Sequence, residues 1–186
     1  VSEDFLMEDQ ENGIKDCRKT PSNQVHSKND PDFSQNVFQY YRTKLDWVKS
    51  DLDVQSMAKS CHFILGERDF SCFRGAACQS HSSYRRVISA NIFDCGDLLV
   101  FEIKANAFLL HMVRNIMAAL LEVGAGRRSA DWISRLIEHG DRSKAPATAS
   151  PNGLFLVGVE YPTTFRLPEF RAGPIFLNGS LDVPVY

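Results

Sequence analysis

Apolar residues recur at helical spacing in some stretches of the chain and in strand-like runs in others. Val54, Met57, Ala58, Cys61, Ile64 and Leu65 form one stripe at spacings of three and four. That spacing predicts a helix over about 52–65, capped by Ser50 or Asp51 and stopped by Gly66. Residues 84–93 and 97–105 read as two strands, and Asp94, Cys95, Gly96 and Asp97 between them carry hairpin-turn chemistry. Ala107 to Val123 reads as the longest helix, ended by Gly124. Ser129 is expected to open a shorter helix to about His139, ahead of Gly140. Leu154 to Glu160 is an apolar strand stopped by Pro162. The tail from Thr163 to Tyr186, with Pro168, Pro174 and Pro184, is expected to run irregularly over the surface. A hairpin mixed with helices argues for an α+β fold.

Composition divides the chain unevenly. Residues 1–37 hold eight Asp/Glu against four Lys/Arg, a net of -4, and few apolar residues. Such a segment buries too little area to offset its ordering entropy and is expected to be poorly ordered. Residues 38–186 hold the remaining seventeen Lys/Arg and fifteen Asp/Glu, a net of +2, and form the expected folded domain. The 186 residues are 44% hydrophobic and carry a net charge of -2, so bulk charge does not mark the whole chain as a nucleic-acid binder. The most apolar stretch, Ala105 to Val123, is interrupted by His111, Arg114, Asn115 and Glu122, so no membrane span is expected. The chain opens on Val1 and shows no basic region followed by an apolar one, so no signal peptide is read. The cysteines are five, with no C-x-x-C pair, so neither a zinc site nor a disulfide framework is expected. A reducing intracellular compartment fits that usage.

Two clusters could carry chemistry. The first runs from Lys104 to Ile116, where a strand delivers Lys104 and Asn106 to the start of the long helix. His111, Arg114 and Asn115 interrupt that helix at spacings of three and four and are expected on one face. A guanidinium on a largely apolar helix needs a partner, because an unpaired buried charge is costly. The partner is either an acidic residue of the same core or an anion in a cleft, such as a substrate phosphate or a catalytic carboxylate. The second cluster sets Arg68, Arg74, Arg85 and Arg86 among Phe70, Phe73, Tyr84 and Gln79. Basic groups neutralise phosphates and aromatic faces stack on bases, although the same mixture is common on ordinary surfaces. No phosphate loop and no H-E-x-x-H is present, and a lone cysteine is ordinarily a small buried hydrophobe.

These stretches also carry a family resemblance. Gly66 to Arg74 resembles the G-E-x-D-F-x-x-F-R signature of the tRNA pseudouridine synthase A (TruA) family, continued by Cys78, Gln79 and Ser80. Lys104 to Asn115 resembles that family's K-A-N-A-F-x-x-H-M-V-R-N motif, followed by Glu122, Val123 and Gly124. Gly153 to Val157 and Glu160 to Pro162 are similar to its closing strand, and Leu167, Pro168 and Gly173 to Leu177 to its tail. The resemblance implies isomerisation of uridine to pseudouridine in the tRNA anticodon stem-loop, with no cofactor and no metal. It implies a catalytic Asp paired with Arg114 and a target base drawn out of its stack. It implies Leu154 as the apolar floor beneath the uracil. It further implies a homodimer gripping tRNA, with RNA contacts from Arg68, Phe73, Arg74, Gln79, Arg85, Arg86, Lys104, Asn106, His111 and Asn115. The implied fold is one half of a mixed, mainly antiparallel sheet flanked by helices. The cytoplasm is the expected location, with an organelle as the alternative.

The departures are equally specific. The family's catalytic Asp sits in a G-R-T-D-x-G-V-H motif, which these 186 residues do not contain. Its active-site Tyr, from an R-Y-x-Y strand, is not reproduced by Tyr40 and Tyr41. The chain is therefore expected to be the C-terminal half of a synthase without the nucleophile. The alternatives are a noncatalytic tRNA-binding module and an inactive fragment.

Overall fold

A helix begins where its first free amides find an acceptor. Asp53, not Ser50 or Asp51, provides one: its carboxylate accepts from Ser56 N at 3.0 Å and Ser56 Oγ at 2.6 Å. Those bonds hold the Asp53 carboxyl below its usual range. Helix α1 (Val54–Cys61) follows, and a 3-10 turn at His62–Ile64 leads to Gly66, whose φ of +85° ends the segment. The computed structural model describes residues 46, 48–95 and 98–166, and the backbone of a short strand at 14–16.

The sheet is built on one long strand. β1 (Ile14–Asp16), β2 (Gly66–Asp69), β3 (Tyr84–Asp94) and β4 (Leu99–Ala105) are all hydrogen-bonded to β3 or are β3 itself. β2 and β4 flank β3 antiparallel, whereas β1 pairs parallel with residues 92–94. The register slips between Val87 and Ser89. Val87 and Ile92 are both buried, so the bulge moves the core-facing set from odd to even positions. The hairpin of β3 and β4 matches the alternation in the sequence, with Cys95 N donating to Leu98 O at 2.8 Å across its turn. β1 lies within the segment expected to be poorly ordered; the rest of that expectation, like the one for 167–186, falls outside the described residues.

Two further helices complete the α+β layer among the described residues. α2 (Met112–Gly124) turns Met112, Ile116, Ala119, Leu120 and Val123 into the core. Its end touches the start of α1, where Asp53 N donates to Gly124 O at 2.7 Å. A β-carbon at Gly124 would stand 2.5 Å from Met57 Sδ, so this close approach requires glycine. α3 (Trp132–His139) buries Ile133, Leu136 and Ile137 and ends at Gly140 with φ +65°, as its sequence predicts. Asp131 precedes it without a side-chain cap, while Ser129 supplies a backbone carbonyl to Trp132 N at 3.0 Å.

Three expectations are corrected. α2 starts at Met112, not Ala107. The backbone ahead of it is engaged elsewhere: Leu110 O accepts from Gly75 N at 2.8 Å and Leu110 N donates to Cys78 Sγ at 3.4 Å. Helix formation would break both bonds. Residues 154–160 join no sheet among the described residues; Leu154, Leu156, Val157 and Val159 are exposed there. A strand needs a neighbour to receive its amides, and alternating apolar residues alone do not supply one. Cys95 is disulfide-bonded, against the expectation that no disulfide framework forms. Cys61, Cys72 and Cys78 are free.

By internal contacts the chain forms two units, residues 1–16 with 48–149 and residues 17–47 with 150–186. The sheet and the three described α-helices belong to the first.

Candidate functional site

The first turn of α2 is where polar side chains enter an apolar helix. His111 precedes it in the left-handed region, at φ +60°, one of two non-glycine residues with positive φ among those described. Its side chain is exposed and its carbonyl accepts from Asn115 N at 2.9 Å. The expectation that His111 and Asn115 share a helix face is therefore wrong: His111 lies outside the helix and Asn115 is 1% exposed.

Asn115 is the centre of a buried network. Its Nδ2 donates to Phe73 O at 2.7 Å. Its Oδ1 accepts from Thr148 Oγ1 at 2.7 Å and from Arg142 Nη2 at 3.1 Å. Arg142 also donates to Pro146 O at 2.8 Å and to Thr148 Oγ1 at 3.3 Å. These bonds lay residues 142–149 along the start of α2 as a strap. Asp141 launches it by accepting from Ser143 N and Ser143 Oγ. Asn115 thus has three protein partners for its side chain and a structural task.

Arg114, beside it, is held differently. Its Nε donates to Ala149 O at 2.8 Å, next to Thr148 on the strap. Among the described residues no carboxylate lies within ion-pair distance, and its two terminal nitrogens have no hydrogen-bond partner. Of the two partners the sequence left open, the acidic residue of the same core is absent among the described residues. A half-buried guanidinium tied by one edge can offer the rest of its fork to a carboxylate or phosphate.

The second cluster separates into buried, looped and exposed residues. Phe73 is fully buried in the core, its ring centroid 6.4 Å from that of Phe70. Arg74 Nη2 donates to Cys78 O at 2.8 Å and Ser80 O at 2.7 Å, shaping the loop between β2 and β3. Arg85 is likewise turned inward, to Ser82 O, Tyr84 O and Ser80 Oγ, with its Nε buried and without a partner. Arg68 is exposed, although its Nε donates to Leu65 O at 2.9 Å. Gln79 and Arg86 are exposed. Tyr84 shares a strand face with Arg86 and is 58% exposed. Asn106 clasps the strand at Arg86 in both directions: Asn106 N donates to Arg86 O, and Asn106 Oδ1 accepts from Arg86 N. Lys104 is half-buried on β4. Leu154, in the second unit, is 49% exposed, and its N donates to Pro151 O at 3.3 Å.

Burial pushes the Cys61 and Cys72 thiols up to about 12, which keeps them protonated and inert. The Cys78 thiol is drawn below its usual value, chiefly by the Leu110 amide and then by the Ser80 amide and the Arg74 charge. No group of three or more His, Cys, Asp or Glu able to hold a metal occurs among the described residues. No helix among them is long and apolar enough to cross a membrane. Arg142 and Thr148 escaped the sequence analysis. Their only signal is a short Arg-Ser-Lys run before the small residues 145–149, too brief to form an element.

The sequence model of the tRNA pseudouridine synthase family matches residues 61–162, from the end of α1 past the strap. This chain belongs to the tRNA pseudouridine synthase family. The tRNA pseudouridine synthase A of Shewanella pealeana is 46% identical over 136 residues, which are 73% of this chain and 52% of that protein. That of Pasteurella multocida is 47% identical over 131 residues, 70% of this chain and 50% of its own length. That of Actinobacillus pleuropneumoniae serotype 3 is 48% identical over 130 residues, again 70% and 50%. The chain thus spans about half the length of the curated relatives it matches. As a member of this isomerase family it carries Arg114 inside the matched span, in the motif whose geometry is described above.

Proposed function

We propose that this chain supplies the arginine-bearing half of a tRNA pseudouridine synthase, and that Arg114 pairs with a catalytic aspartate from a segment these 186 residues do not contain. The observation that carries the proposal is the guanidinium of Arg114, fixed by Nε on Ala149 O with its terminal nitrogens unengaged among the described residues. Such a fork holds a carboxylate ionised, ready to act as a nucleophile. In the proposed reaction the aspartate oxygen bonds to C1′ of the flipped uridine as the bond from C1′ to N1 breaks, and the uracil turns. The bond from C1′ to the aspartate breaks again as C5 takes its place, which frees the carboxylate. N1 takes a proton and C5 loses one, so no external reactant is consumed. Leu154 is the proposed apolar floor for the turning uracil. The anticodon stem-loop as substrate, a homodimer sharing one tRNA and a cytoplasmic site of action belong to the same proposal.

The test is pseudouridine formation on unmodified tRNA. The chain alone is expected to give no product above a no-enzyme control. Adding a family polypeptide that carries the G-R-T-D-x-G-V-H segment is expected to restore turnover, and Arg114→Gln to abolish it. Turnover by the chain alone, or turnover untouched by Arg114→Gln, overturns the proposal.

Noncatalytic tRNA binding has one specific support of its own, the exposed Tyr84 and Arg86 on one strand face. It predicts tRNA binding that weakens steeply with salt while no half-enzyme complementation occurs.

A further inference from the structure

The strap at 142–149 and the first turn of α2 meet at two successive residues on each side. Arg114 takes Ala149 O, and Asn115 takes Thr148 Oγ1. Arg142 closes the third corner: one guanidinium bonds Pro146 O, Asn115 Oδ1 and Thr148 Oγ1. All three acceptors are neutral, and no carboxylate among the described residues pairs with Arg142. An arginine spent on neutral acceptors in a half-buried place is not there for charge pairing. Its planar fork matches acceptors on two separate segments at once, which a lysine ammonium does not.

We propose that Arg142 is a positioning residue for Arg114. By fastening Thr148 to Asn115 it sets the height of the next carbonyl on the strap, Ala149 O. That carbonyl captures Arg114 Nε and leaves the terminal nitrogens of Arg114 as the only part of the fork free to meet an anion. Asn115 is anchored from behind by Phe73 O, so the reference point of the clasp is the buried core. The orientation of Arg114 is thus decided 28 residues downstream, by a segment without regular helix or strand beyond the turn at 142–144. This inference rests on the functional role proposed for Arg114, but the geometry it asserts is measurable without catalysis.

The experiment is solvent exchange of side-chain Nε protons by nuclear magnetic resonance on the whole 186-residue chain, compared with Arg142→Lys and Thr148→Val. In the unsubstituted chain the Arg114 Nε proton is expected to be protected. In Arg142→Lys it is expected to exchange about tenfold faster, as for a lost hydrogen bond of ordinary strength, while backbone amides of α2 stay protected. Thr148→Val, which removes both bonds of Thr148 Oγ1 but keeps those of Arg142 to Pro146 O and Asn115 Oδ1, is expected to give a smaller acceleration in the same direction. An Arg114 Nε proton that stays protected in Arg142→Lys overturns the proposal. So does loss of α2 amide protection in both variants, which assigns the clasp to stability alone. If the Nε result holds but Arg114→Gln leaves complemented turnover intact, the positioning stands and the catalytic role of Arg114 falls.

Discussion

The arginines of β2, of β3 and of the loop joining them, and those around the start of α2, look alike in sequence and are used in opposite ways. Arg68, Arg74 and Arg85 bond to groups one to six residues away: Leu65 O, Cys78 O, Ser80 O, Ser82 O and Tyr84 O. Arg114 and Arg142 reach 35 and 27 residues along the chain, to Ala149 O and Asn115 Oδ1. Short-range bonds shape a loop that any similar sequence could shape. Long-range bonds tie two segments together, so Arg68, Arg74 and Arg85 shape a surface while Arg114 and Arg142 fasten the strap to α2.

Substitutions probe that contrast, beginning with the largest expected effect. Arg114→Gln is expected to lower complemented pseudouridine formation by about a hundredfold or more, the scale for losing a preorganised charge partner, with little change in melting temperature. A rate within about threefold of the parent, a margin near 0.7 kcal/mol of barrier, would place Arg114 with the loop-shaping arginines instead. Asn115→Ala is expected to destabilise the chain by about 2–3 kcal/mol in urea unfolding, because Phe73 O, Thr148 and Arg142 all lose a buried partner. A midpoint unchanged from the parent contradicts the long-range role. Arg86→Ala is expected to shift stability by less than about 0.5 kcal/mol, as for an exposed side chain free of such networks. The same change should reduce the salt slope of tRNA binding by about one if Arg86 meets a phosphate.

Two smaller effects sharpen the surface side of the comparison. Thiol labelling of the native chain is expected at Cys78 well before Cys61 and Cys72, whose burial pushes their thiols up to about 12. Equal labelling of all three would mean that the core opens as readily as the loop. Asp53→Ala is expected to weaken α1 only where the carboxylate is ionised. The folded-state value of Asp53 lies below the ordinary 3.8, so its stabilisation is complete above 3.8 and fades as pH falls through the folded value. Melting curves of variant and parent should therefore differ at neutral pH and converge in strong acid; a gap that persists there points to lost packing rather than a lost cap.

Periodicity located every described helix and the hairpin because burial of one face is a local, repeating demand. It placed the start of α2 five residues early, since it could not see that Leu110 is claimed by Gly75 and Cys78. It marked the polar residues of the α2 motif correctly as unusual. It could not tell Asn115, buried with three partners, from Arg114, half-buried with one. The burial of Phe73 was illegible for the same reason: an aromatic in a signature reads identically whether it faces a base or the core.

What the sequence by itself determined is the α+β class, the order of the described α-helices and of the β3–β4 hairpin, and membership of the synthase family, because these follow from residue type, spacing and ordered motifs. What only the tertiary structure decided is which motif residues remain available for chemistry. Availability is a matter of who else claims a donor or an acceptor. For Arg114 and Asn115 the claimants, Ala149, Thr148, Arg142 and Phe73, lie 27 to 42 residues away, beyond the reach of any local pattern.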